Sequence, residues 1–246
     1  RKTSDGLYVF SCGIAAKQMA DKVNARIVSN GVKGEVHTYS VTDYAESVIN
    51  AASGVYSDKA VNAVKAMLNY GTAAQQYFGY NTDNPANSIM TDDDKNMDMV
   101  GFNTYTGKLV NADSVSGISY YGSSLVLESD TILRNYFELS DGYNIDNYTF
   151  YVKDKDGNKN IIAPQKTDAS LYYIDISNVK AYELADNVNI YVQKNGDSED
   201  KIMMLEYGAY VYARYVDKYL DNTALKNLMT AMYHYCNAAI EYANIY

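Results

Sequence analysis

Tryptophan is absent, and proline, histidine and cysteine occur only twice each. Each scarcity excludes something. The two prolines, Pro85 and Pro164, leave no Pro-rich linker in which a domain boundary would sit. Cys12 and Cys236 make neither a disulfide framework nor a metal motif; a single bridge between them and two separate thiols both stay open. His37 falls in a strand-like stretch and His234 in a helix-like one, outside any catalytic signature. No apolar run approaches the roughly 20 residues of a membrane span, and no basic-then-apolar leader opens at Arg1. Basic residues are outnumbered, 21 against 30 acidic, for a net charge of −9. That balance disfavours nucleic acid, anionic membranes and, on the same ground, acidic carbohydrates, because binding phosphate takes clustered Lys and Arg.

Tyrosine, by contrast, occurs 27 times against five phenylalanines. Its ring carries a large apolar face and a polar tip, which suits recognition surfaces as well as cores.

The strongest internal signal is a repeat. Residues 14–28 read IAAKQMADKVNARIV and residues 179–193 read VKAYELADNVNIYVQ. At a shift of 165, Ala16, Ala20, Asp21, Val23 and Asn24 meet Ala181, Ala185, Asp186, Val188 and Asn189, and Asn30-Gly31 meets Asn195-Gly196. Asn-Gly between alternating apolar runs predicts a type I′ hairpin in both halves, with Val23, Ala25 and Ile27 on one face and Val188, Ile190 and Val192 on its counterpart. At a shift of 168, Tyr39, Tyr44, Ala45 and Val48 meet Tyr207, Tyr212, Ala213 and Val216, which places a longer hairpin loop near residues 196–201. AMLNYGTAAQQY at 66–77 then meets AMYHYCNAAIEY at 231–242, and the shared positions follow a three-and-four spacing that marks a buried helical stripe. Ser57 is the expected N-cap of one such helix and Gly79 its terminator; Asn222 or Thr223 caps the other.

The expected fold is therefore α+β: two pseudo-repeats, each a β-hairpin followed by a two-helix hairpin, with extra antiparallel strands between them. Unit one spans 1–80, a polar crossing with little regular structure spans 81–117, and unit two with its added β segment spans 118–246, all in one merged domain. The strands of 118–164 include a hairpin turned at Asp156-Gly157. The corresponding β segment should precede unit one, and KTSDGLY at 2–8 echoes KTDASLY at 166–172, so the chain reads as a piece cut from a longer protein.

Three phrases carry a resemblance: LNYGTAAQQYFGYNTDNPAN at 68–87, SSLVLESDTILRNYFEL at 123–139 and TYSVTDYA at 38–45. They resemble a recurring module of large secreted or wall-attached proteins of anaerobic gut and rumen Gram-positive bacteria, where it sits beside dockerin, leucine-rich-repeat or fibronectin-like neighbours. The resemblance runs from about Leu7 to Tyr242. It implies an extracellular or cell-wall location and a modular context, and it carries no catalytic residue across. Some surface proteins of such bacteria bind host immunoglobulin, which the resemblance adds as one identity for a ligand.

No nucleophile, base and charge stabiliser converge in the sequence, so no enzyme and no cofactor is expected. Asp154-Lys-Asp156-Gly-Asn158-Lys-Asn160 alternates oxygen ligands, but its glycine is misplaced for a calcium loop and Gln165 stands where the bidentate Glu belongs; a plain hairpin turn is the better reading. The acidic run Asp92-Asp93-Asp94 reads as a solvated surface. Tyr212, Tyr215 and Tyr219 form a helical stripe assigned, with Tyr70 and Tyr77, to the core. Adjacent strand residues point to opposite faces, so one ring of Tyr120-Tyr121 and one of Tyr172-Tyr173 should face solvent; these four are the candidate ligand-binding residues. The expected function is non-catalytic binding of a host or bacterial surface protein, of adhesin or immunoglobulin-binding type. Carbohydrate binding, or a spacer role in a multidomain surface protein, is the alternative.

Overall fold

Asn30 and Gly31 both adopt positive φ, 49° and 80°, which is the backbone a two-residue I′ turn demands and which Asn and Gly tolerate. They join β2 (Val28–Ser29) to β3 (Val32–Lys33), and this small hairpin caps a second pair, β1 (Val23–Ala25) with β4 (His37–Tyr39). The computed structural model describes residues 5–6, 8–127, 130–177, 179–198 and 200–244. A short 3-10 turn at Ala16–Gln18 precedes β1, and α1 (Val41–Ile49) follows β4.

Helix α2 (Asp58–Phe78) starts where expected: the Ser57 hydroxyl accepts from the Ala60 N–H at 3.2 Å, and Gly79 ends the helix in the left-handed region. Such a cap is worth about 1 kcal/mol. Gly71 is required for a different reason. A Cβ there would lie 2.8 Å from Met19 Sδ, 3.1 Å from Ala86 Cβ and 3.2 Å from the Ala16 carbonyl, so the missing side chain is what lets the 3-10 turn lie against the helix.

The crossing after α2 is more regular than the sequence predicts. The acidic run forms α3 (Asp92–Lys95), capped by Thr91, and residues 108–110 form β5, an edge strand of the larger sheet. Lys108-Leu109-Val110 is too short to show a strand's alternation in the sequence. Then follow β6 (Ile118–Leu127), β7 (Thr131–Leu139), β8 (Tyr148–Lys153), β9 (Lys159–Ile162), β10 (Gln165–Lys166) and β11 (Tyr172–Ile176). A 3-10 turn at Ala181–Glu183 leads to β12 (Val188–Lys194) and β13 (Ile202–Tyr207), and the chain ends with α4 (Ala209–Tyr219) and α5 (Thr223–Ala243), the latter capped by Asn222.

The architecture is mixed α+β with several antiparallel sheets. One sheet has the order β10-β11-β7-β6, the other β5-β13-β12-β8-β9. They pack face to face: Phe137 meets Phe150 edge-on at 5.0 Å, surrounded by Ile118, Ile174, Ile190, Val192 and Met203. The far end of the first sheet turns Leu125, Leu127 and Leu133 against the helices, where Leu68, Tyr70, Leu228, Met232 and Cys236 complete a second core. Helices α2 and α5 are the centre of that core. Tyr70 of one stacks on Tyr235 of the other at 5.8 Å, and burial pushes the Tyr70 hydroxyl up to about 12.

One expectation needs correction, and two further points are fixed by the structure. Asn195-Gly196 makes no type I′ turn: only Gly196 has positive φ, and the loop spans residues 195–201 because Asn195 is drawn away to bond the backbone of Asp146 and Asn147. Val23, Ala25 and Ile27 do not share the fate of Val188, Ile190 and Val192. Ile190 and Val192 are buried among Phe137, Phe150 and Ile174, where the two large sheets face each other, whereas Ala25 and Ile27, in and beside the two-stranded β1–β4 pair, are exposed. The cysteines are not paired: Cys12 is exposed and Cys236 lies fully buried in the helical core.

Candidate functional site

Helix α4 carries two stripes. Ala209, Tyr210, Ala213 and Val216, spaced by three and four residues, turn inward and are buried. The opposite stripe, Tyr212, Tyr215 and Tyr219, has Arg214 and Lys218 beside it, and it faces the start of β6 rather than solvent alone. There β6 is bulged: Tyr120 pairs with Phe137 and Gly122 with Tyr136, leaving Tyr121 as the additional residue. A bulge kinks a strand and re-aims its side chains. Between this kink and α4 opens a cleft of about 600 Å³ lined by Tyr120, Tyr121, Tyr207, Tyr212, Tyr215 and Tyr219, with Ser123, Ser124, Arg214 and Lys218 among the polar groups.

The rings form a wall. Tyr212 and Tyr215 lie 6.4 Å apart and Tyr215 and Tyr219 5.3 Å apart. Lys218 Nζ sits 4.9 Å over the Tyr219 ring and draws that hydroxyl below its ordinary range by hydrogen bonding and charge. On the other side, burial raises Tyr120, Tyr207 and Tyr212. The Tyr120 hydroxyl shares a 2.7 Å bond with Ser123 Oγ, and Ser123 in turn donates to Asn135 Oδ1, so the floor of the cleft is held by a polar chain. Among the described residues no carboxylate, imidazole or thiol lines the cleft. Such a surface offers a ligand ring faces, hydroxyls and two cations.

Of the sequence candidates, Tyr120 and Tyr121 meet in this cleft, Tyr121 exposed and Tyr120 half-buried. Tyr172 and Tyr173 do not. They lie on β11, beyond β7, and both are half-buried. Tyr173 lies beneath the Arg134 guanidinium at 4.1 Å, and Arg134 forms a two-pronged pair with Asp175 at 2.7 and 2.8 Å. The assignment of Tyr215 and Tyr219 to the core is corrected: they are 50% and 62% exposed, while Tyr70 is buried and Tyr77 half-buried. A signal for the missed residues existed. At the shift of 168, Ser47 and Ala51 stand where Tyr215 and Tyr219 do, and Glu46 where Arg214 does, so these three cleft residues depart from the repeat, whereas Tyr207 and Tyr212 match Tyr39 and Tyr44.

The remaining candidates are structural. Asp154 Oδ1 accepts the Asp156 and Asn158 N–H groups at 2.9 and 2.8 Å and Oδ2 the Asn158 amide, so this carboxylate closes the β8–β9 turn. These bonds hold Asp154 below its ordinary pKa. Among the described residues no group of three His, Cys, Asp or Glu is placed to hold a metal ion. Asp94 pairs with Lys65 at 2.8 Å, and His234 Nε2 lies 2.9 Å from the Asp98 carbonyl. A smaller polar hollow near Asn69, Thr72 and Asn87 is the outer rim of a hydrogen-bonded seam: Asn87 Nδ2 donates to Asn69 Oδ1, Asn69 to the Asp94 carbonyl, and the Asn87 N–H to Thr72 Oγ1. Its amides are occupied in fastening the crossing to α2.

No helix among the described residues is long and apolar enough to cross a membrane. No protein-family model matches the chain, and neither curated proteins nor solved structures give a match.

Proposed function

We propose that this chain is a non-catalytic binding module, of the kind displayed outside the cell by bacterial surface proteins, and that it captures a protein partner by seating an extended segment in the tyrosine cleft. The observation that carries the reading is the lining itself. Tyr and Arg are the residue types that dominate binding energy at protein interfaces, because they bring large, stiff contact area and polar reach together. An aromatic-walled groove is also a recurring dock for extended peptide. The host-factor or immunoglobulin-binding role belongs to this proposal through the resemblance noted above.

A duplicated scaffold is part of the same proposal. Its support is that Tyr70 and Tyr235, 165 positions apart, stack on one another, and that the equivalent helix positions Asn69 and His234 both reach carbonyls of the crossing, at Asp94 and Asp98. In this reading one unit keeps the bare framework and the other has acquired the cleft.

A glycan is the second reading, favoured by the row of ring faces on α4 with serine hydroxyls opposite. The experiment is a parallel screen of the purified chain and its Tyr215→Ala/Tyr219→Ala variant against serum and mucosal proteins and a glycan array. Protein capture by the parent that drops at least tenfold in the variant supports the proposal, since two interface tyrosines are worth more than about 1.4 kcal/mol together. Glycan binding with the same dependence replaces it with the second reading, and capture indifferent to the variant refutes the cleft.

A further inference from the structure

We propose that the segment held in the cleft is acidic, a carboxylate side chain of the bound peptide docking between Arg214 and Lys218; this rests on the peptide-binding reading above. The chain as a whole is strongly anionic, with 30 acidic residues against 21 basic, so an acidic partner gains nothing from the average field. The cleft inverts that average locally. Arg214 and Lys218 stand one helical turn apart on α4, both line the cleft, and no Asp or Glu lines it with them. Among the described residues neither cation is in an ion pair. Arg214 spends one N–H on the Tyr105 carbonyl at 3.4 Å, leaving most of a five-donor fork, and Lys218 lies over Tyr219.

Some basic groups elsewhere in the chain are neutralised by a neighbour; what sets Arg214 and Lys218 apart is that both stand in a cleft lined by no carboxylate. Arg134, Lys65, Lys22 and Lys180 are each matched to a carboxylate. Two unmatched cations bordered by six tyrosine rings sit where a ligand's approach would exclude water, and exclusion of water strengthens a charge pair. The tyrosines supply contact area and the cations choose the charge. The chemistry recognised is a carboxylate on an extended chain; a lone anion would leave the ring wall unused.

The test pans a phage-displayed random dodecapeptide library on the intact chain, on Tyr215→Ala/Tyr219→Ala and on Arg214→Gln/Lys218→Gln, with circular dichroism melts confirming that each variant folds. Peptides that need the tyrosines should be enriched in Asp and Glu. A synthetic copy of the best one should lose about tenfold or more in affinity on Arg214→Gln/Lys218→Gln, and the same factor when its own acids become Asn or Gln, with little further loss when both changes are combined. Raising salt from about 50 to about 500 mM should weaken the parent complex and leave the glutamine variant nearly unaffected. Tyrosine-dependent peptides without acidic enrichment overturn this inference and leave the peptide-binding reading standing. Absence of any tyrosine-dependent peptide overturns both.

Discussion

Replacing Gln75 by Leu should unfasten the crossing segment from α2. Gln75 is 1% exposed, and its amide makes three contacts: Oε1 accepts the Ala86 N–H at 2.8 Å, while Nε2 donates to the carbonyls of Asn84 at 3.0 Å and Asn81 at 3.3 Å. Leucine matches the volume but answers none of these groups. The Ala86 N–H, beside a fully buried alanine, is left without a partner, and an orphaned buried polar group costs about 1–3 kcal/mol. The two carbonyls regain water more readily, because Asn81 and Asn84 are exposed. A total near 3 kcal/mol follows, equivalent to a fall in Tm of roughly 6–12 °C for a chain of this size. The control is the neighbouring exposed Gln76→Leu, which should change stability by no more than about 0.5 kcal/mol. Urea unfolding of the three proteins decides the matter. If Gln75→Leu and Gln76→Leu prove equally mild, the buried amide is not what fixes the crossing.

Asp94 offers a pH-dependent test. Lys65, and secondarily Thr91, hold its carboxyl below the ordinary value, so its contribution is present above about pH 4 and is lost as pH falls through the depressed folded-state pKa. Asp94→Asn should thus lower stability at pH 7 by about 1 kcal/mol or less and flatten that acid limb; an unchanged acid limb would refute the assignment. Titration with a thiol reagent should modify Cys12 at once and Cys236 only after unfolding, whereas two fast thiols, or none, would contradict the buried and exposed placements. Amide hydrogen exchange should be fast across β1–β4 and slow in β12 and β13 despite their matching sequences, because only the latter are flanked by further strands. Equal protection in the two would show that the first hairpin has partners as well.

Much of the framework was readable from periodicity and caps. Ser57, Gly79 and Asn222 bound the long helices, Asn30-Gly31 turns the first hairpin, and Asp156-Gly157 falls in the β8–β9 turn, since each choice rests on local backbone chemistry. What escaped depended on distant partners. Nothing local distinguishes Asn195-Gly196 from Asn30-Gly31; the backbone of residues 146–147 does. Nothing in the spacing of Tyr212, Tyr215 and Tyr219 says which helix face meets the core, because α4 has an apolar stripe on both sides and the bulge that opens the cleft lies some ninety residues earlier in the chain. Two of the six cleft tyrosines, Tyr120 and Tyr121, were visible as candidates, because adjacent strand residues point to opposite faces.

The central claim is that ligand lies between β6 and α4. A photo-crosslinking amino acid placed singly at positions 121, 215, 44 and 173, followed by capture from serum and mucosal protein and irradiation, tests it most directly. Covalent capture from 121 and 215, with none from 44 or 173, is the predicted pattern. Capture from 44 or 173 while 121 and 215 stay silent would place recognition elsewhere and contradict the account.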